Sequence, residues 1–138
     1  MDEIENIIKM LPEAEQKVIW ERLSEYQDTV TREQGQVDFM KFVETMWPGF
    51  IHGRHHALMA KKFEDIANGK IKRLIINMPP RHTKSEFASY LLPAWYLGRY
   101  PNKKIIQCSN TAELAVGFGR KVRNLVDSEV YAKIFPNV

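Results

Sequence analysis

The sequence predicts an α/β fold, a parallel sheet flanked by helices, and three observations carry that expectation. Residues 73–78 hold Leu74, Ile75 and Ile76 in a short apolar run that stops at Pro79 and Pro80. Such a run reads as a buried strand emptying into a loop, because proline cannot donate to a sheet ladder and pre-sets a turn. Lys84 and Ser85 follow at the start of a helical stretch. Residues 104–109, with Ile105 and Ile106, form a second apolar run. The interval, on the order of thirty residues, is the length of a β-α-β unit, which makes the connection right-handed and the strands parallel. Strand, loop, Lys-Ser and helix is the layout of a phosphate-binding loop. There the helix N-terminus and loop amides face the phosphates, the lysine reaches the β and γ phosphates, and the hydroxyl holds Mg²⁺. The expected fold class is therefore an α/β P-loop NTPase-type parallel sheet flanked by helices. It occupies residues 37–138 as a partial domain, behind an N-terminal helical arm and linker over residues 1–36.

Within the arm, Ile4, Ile7, Ile8 and Leu11 share one helix face, with acids in the first turn where the helix dipole favours them. Pro12 suits the first turn of a second helix, whose weaker stripe is Val18, Ile19, Leu23 and Tyr26. Residues 31–36 are polar, contain Gly35 and lack periodicity, which marks a linker. The arm reads as a helical hairpin packed on its own domain or as a docking arm. Phe39, Phe42, Val43 and Met46 then line a helix that Trp47, Pro48 and Gly49 end. A further helix runs through Leu58, Met59, Lys62, Phe63 and Ile66 and closes at Asn68 and Gly69.

The helix behind Lys84 carries Phe87, Tyr90, Leu91 and Ala94 on one stripe, and Pro93 should kink or end it, with Gly98 as the stop. Asn110 opens the next helix with Glu113 three positions on, a capping-box spacing. Its buried stripe is Leu114, Phe118, Val122 and Leu125. Arg120, Lys121 and Arg123 lie off that stripe, as a solvated face or as cations for DNA phosphates or a ring interface. Tyr131, Ile134, Phe135 and Pro136 make a short amphipathic turn.

Composition narrows the function classes. With 138 residues, 44 % of them hydrophobic, the chain is one domain or part of one with enough apolar mass for a core. No stretch approaches the roughly 20 apolar residues that cross a bilayer, and Asp2, Glu3 and Glu5 make an N-terminus unlike a signal peptide. Cys108 is the single cysteine, which excludes an internal disulfide and a cysteine metal set. The net charge of +3 and pI near 9.0 permit nucleic-acid contact without requiring it. His52, His55 and His56 lack a carboxylate or cysteine to complete a tetrahedral zinc set, and adjacent residues on a helix point in different directions.

The strict pattern G-x-x-x-x-G-K-[ST] is met only in part, because Met78 and Thr83 stand where its glycines belong. Glycine suits backbone close to a phosphate because it needs no Cβ and accepts positive φ; a β-branched threonine does so poorly. A Lys-Ser pair by itself also fits an exposed helix start. The chemistry available is nonetheless specific: phosphoryl transfer needs charge neutralisation, a metal and an oriented water. Lys84 can supply the first and Ser85 one Mg²⁺ ligand. Arg81 could reach a transferring phosphate or hold the loop by a salt bridge, and His82 orders the loop. No apolar strand ending in Asp or Glu follows Ser109, and Asp127 and Glu129 stand after a helix.

Residues 50–136 resemble the ATPase domain of the large subunit of tailed-bacteriophage terminases, the DNA-packaging motors. The segments that carry the likeness are 53–56 (Gly53, Arg54, His55, His56), 69–86 with Pro79, Pro80, Arg81, His82, Thr83, Lys84, Ser85 and Glu86, and 93–99. Residues 112–115, 118–123 and 135–136 continue it in the family's order. Thr83 departs from the glycine usual there. The resemblance implies binding of ATP with Mg²⁺ at residues 79–86, catalytic roles for Arg81 and Lys84, and an adenine contact from His55 or His56. It also implies the partners: double-stranded viral DNA, a small terminase subunit, a portal on the procapsid and further copies in a homo-oligomeric ring, in the host cell cytoplasm and with no membrane. The missing acidic strand and nuclease domain read as the N-terminal part of a longer protein. Two competing readings stand beside this one: a non-catalytic interaction module retaining a degenerate P-loop fold, and an ATP-dependent helicase fragment.

Overall fold

Phe39, Phe42 and Val43 recur at one face of a short helix, and that face became the centre of the molecule. In the computed structural model, which describes residues 7–138, the chain forms α1 (Glu13–Val37), α2 (Phe39–Met46), α3 (Arg54–Ala67), α4 (Lys84–Glu86), a π-helical turn (Phe87–Leu91), α5 (Leu92–Arg99), α6 (Ala112–Val126) and α7 (Glu129–Ile134). Ile4 of the expected first helix lies outside the described residues. The Asp38 carboxylate accepts from the Lys41 amide at 3.0 Å, and the Glu64 carboxylate accepts from the Phe39 amide at 3.0 Å, so α2 begins with two of its orphan donors satisfied. Fully buried Phe39 meets Phe63, Phe87 and Trp95 edge-on, with ring centroids 5.4, 5.7 and 5.3 Å away, the preferred geometry for aromatic quadrupoles. On the other side Phe42 packs on Tyr131 and Phe135.

The expected parallel sheet does not form. Among the described residues the architecture is all-helical, with no strand, so the α/β P-loop NTPase-type class, its two parallel strands and the right-handed crossover between them are corrected. Residues 73–78 alternate as an extended segment should: Leu74, Ile76 and Met78 pack on the core while Ile75 is 86 % exposed. The pattern reported a one-sided extended backbone, but a strand also needs a ladder partner. Residues 104–109 do not supply it; apart from half-buried Gln107 they lie exposed, with Ile106 at 90 %. Two short runs are below the three or so strands that hold a sheet on their own, and the helices already cover the core.

The arm is also different. Pro12 precedes α1 as expected, but α1 runs without a break through residues 31–36, where the sequence indicated a linker. Gly35 explains this: its backbone oxygen accepts the Trp95 indole N–H at 2.9 Å, and Ile134 packs close against it, 3.3 Å from a Cβ placed there. Gln36 Nε2 donates to the Ile134 oxygen at 2.6 Å. The polar run is thus a helix end clamped by partners far away in sequence. The front of α1 is solvated, with Val18, Trp20 and Tyr26 exposed.

Pro93 neither ends nor visibly breaks the helical run from Lys84 to Arg99; it follows a π turn in which the Leu92 amide donates to the Phe87 oxygen. A π turn absorbs the register change that a helix-interior proline forces. Gly98 is not a stop but a contact, since a Cβ there would lie 2.5 Å from Phe135 Cδ2. Thr111, not Asn110, caps α6, accepting from the Leu114 amide at 3.3 Å. Val122 and Leu125 of the expected stripe are buried, whereas Leu114 is half exposed.

Candidate functional site

The loop before α4 is built on two left-handed residues. Arg81 has φ of 63° and Thr83 φ of 58°, both non-glycine, and such residues are uncommon in this region, most of all when β-branched. They fold residues 78–86 around a hollow of about 570 Å³ lined by Met78, Pro79, Pro80, Arg81, His82, Thr83, Lys84, Ser85 and Glu86. Every residue assigned to the loop from sequence therefore faces one space. Extended residues 73–78 deliver the chain to it from one side and α4 leaves from the other.

The helix start carries the electrostatics. Thr83 is the N-cap, and no side chain caps the first turn. The first intrahelical bond is Phe87 N–H to the Thr83 oxygen at 2.9 Å, so the amides of Lys84, Ser85 and Glu86 precede any helical acceptor. Uncapped amides at a helix N-terminus carry partial positive charge and favour an anion. Lys84 is half-buried at this turn and Ser85 is exposed beside it. His82 Nδ1 lies 2.8 Å from the Pro80 oxygen, a bond across the turn that stiffens it. Arg81 is exposed, with no salt bridge to an acid among the described residues.

Glu86, the carboxylate on the hollow's rim, accepts from Lys121 Nζ of α6 at 2.9 Å. Lys121 also stands 5.7 Å from the Tyr90 ring. The expected solvated cation of α6 thus ties that helix to the loop. Arg123 instead bonds its neighbour Asn124, and Arg120 stays exposed.

The upstream histidines meet the same loop. His56 is 5 % exposed, stacked on Phe87 with centroids 4.9 Å apart and edge-on to Phe50 at 4.8 Å. Its Nδ1 accepts from the Gly53 amide at 3.0 Å, and its Nε2 lies 2.6 Å from Thr83 Oγ1. Both ring nitrogens of His56 are committed, while His55 is half-buried beside it. The His55 and His56 rings do not diverge as helix geometry alone implied; their centroids are 3.8 Å apart, and His82 is 6.1 Å from His55. Burial first, then the neighbouring His55 and His52, hold the His56 pKa below the usual histidine value. The link between His56 and Thr83 spans 27 positions and has no local signature. The one sequence clue is a β-branched residue where backbone demands glycine, which calls for a restraint from elsewhere.

A Mg²⁺ ion at the hollow fits the donors in a limited way. Mg²⁺ keeps several waters and takes one or two protein oxygens plus substrate phosphates, a role open to the Ser85 hydroxyl. Among the described residues no group of three His, Cys, Asp or Glu side chains could hold a metal by itself. No described helix is long and apolar enough to cross a membrane. Comparison of the chain with protein-family models, with curated proteins and with solved structures gave no match.

Proposed function

We propose that residues 78–86 receive the phosphates of ATP with Mg²⁺. The observation that carries the reading is the pair of left-handed residues, Arg81 and Thr83, which turn an uncapped helix start, Lys84 and Ser85 toward one hollow. Backbone strain of this kind persists where surrounding structure enforces it, and it concentrates at ligand-holding turns. In this reading Lys84 neutralises the β and γ phosphates, Ser85 is a Mg²⁺ ligand, and Arg81 extends toward the transferring phosphate. Mg²⁺ would supply charge neutralisation across the phosphates. His55, 6.1 Å from the His82 ring that lines the hollow, is the residue proposed to stack on the base.

The resemblance stated above adds the context: the chain serves the ATPase of a viral DNA-packaging motor of the large terminase type. Its partners are then double-stranded DNA, a small terminase subunit, the procapsid portal and other copies in a ring, within the host cytoplasm. Turnover further needs an acidic residue to position water, and Glu86 is engaged by Lys121. The proposed activity of this chain is therefore nucleotide binding, with hydrolysis completed by a carboxylate from elsewhere.

Calorimetry with Mg²⁺ and ATP tests the reading. The expected result is binding that Lys84→Ala weakens by tenfold or more, the loss of one charge-assisted phosphate contact; undiminished affinity in that variant refutes the assignment. A second reading, a non-catalytic interaction module, is favoured by the exposed Ile75 and Ile106 outside the helices. Absence of heat with ATP would favour it.

A further inference from the structure

We infer that His56 is the positioning residue of the loop: its Nε2–H holds the Thr83 hydroxyl so that a β-branched residue keeps the left-handed backbone that a glycine would adopt unaided. The inference deepens the phosphate reading of residues 78–86 and explains how the loop does without its glycine.

The protonation pattern follows from the geometry. The Gly53 amide can only donate, so His56 Nδ1, 3.0 Å away, is the acceptor and the neutral ring carries its proton on Nε2. Nε2–H then donates to Thr83 Oγ1 at 2.6 Å, and the hydroxyl donates in turn to the His82 oxygen at 2.7 Å. Each donor in this chain has one acceptor, and the chain runs from the start of α3 to the residue before Lys84. The imidazole cannot drift, because Phe87 stacks on it and Phe50 closes its edge. Thr83 sits at φ 58° and ψ 6°, where its side chain is disfavoured but its hydroxyl meets both partners. The groups that face His56 are His55 and His52 of its own segment and Thr83 of the loop, with His82 beyond His55.

A four-protein cycle tests it: the unchanged chain, His56→Ala, Thr83→Gly and the double variant. Each is read by Mg²⁺·ATP calorimetry, and the proteins that keep Thr83 also by its backbone carbon chemical shifts, which report its φ and ψ. His56→Ala is expected to lower affinity by about tenfold and to move the Thr83 shifts off left-handed values. In the Thr83→Gly background the same change should leave affinity within about twofold, since glycine needs no restraint. Equal losses in both backgrounds, or an affinity and shifts that His56→Ala leaves unchanged, overturn the proposal. Should the unchanged chain give no heat with ATP, the phosphate reading falls while the Thr83 shifts still decide the positioning role. If His56→Ala does not fold, His56→Gln and His56→Met, which fill similar volume with and without a donor, replace it. Retention by Gln and loss by Met support the role, and identical behaviour overturns it.

Discussion

The side-chain amide of Gln107 donates to the backbone oxygen of Ser89 at 2.6 Å, the carbonyl four positions before Pro93. In an α-helix the residue at 93 would satisfy that oxygen, and proline has no N–H to do so. A segment outside the helices thereby repairs a helix whose first residues line the hollow at residues 78–86.

Gln107→Ala should leave the Ser89 oxygen without this partner and cost about 1 kcal/mol in urea unfolding, the net worth of one hydrogen bond. In a Pro93→Ala background, where the chain supplies its own N–H, the same substitution should cost clearly less. Equal costs in the two backgrounds would detach Gln107 from the proline.

Gly98→Ala is expected to destabilise the chain by about 1–3 kcal/mol, because the added methyl group meets Phe135 and must displace an aromatic ring in a packed core. Gly117→Ala, on α6 with open space around its Cβ, is the control and should be neutral or stabilising. Chemical denaturation of the two variants checks the contrast.

These two positions show what the sequence carried and what it did not. The α2 stripe, Met59 and Phe63 of the α3 stripe, the stops at Gly49 and Gly69, and the C-terminal cluster of Tyr131, Ile134 and Phe135 were legible, because helical periodicity is local and burial follows it; Leu58, expected on the α3 stripe, is exposed. The sheet was misread because the run at 73–78 specifies an extended segment with one apolar side, while pairing depends on a second segment that stays apart. The linker was misread because Gly35 marks a close approach of Trp95 and Ile134 to a helix, which polarity and missing periodicity cannot reveal. That residues 79–86 form one loop into a helix start was legible from the prolines and the Lys84 and Ser85 pair. Their restraint by His56 was not, since it is tertiary.

Stability should fall as the medium is acidified through the histidine range. Because burial and then His55 and His52 lower the His56 pKa, the unfolded chain takes up a proton near the usual histidine pKa while the folded ring stays neutral. The unfolded state therefore binds more protons below about pH 6.5, and stability is present above that value and lost as pH falls toward the folded pKa. Urea midpoints between about pH 5 and 8 should show this slope, and His56→Gln should flatten it. An unchanged slope in that variant would assign the dependence to other groups.

A titration of the isotope-labelled chain with Mg²⁺·ATP, followed by amide chemical shifts, tests whether residues 78–86 receive phosphate. The largest changes are expected at Thr83, Lys84, Ser85 and Glu86, saturating together and suppressed in Lys84→Ala. Shifts confined to other surfaces, or none at millimolar nucleotide, would contradict a phosphate site in this loop.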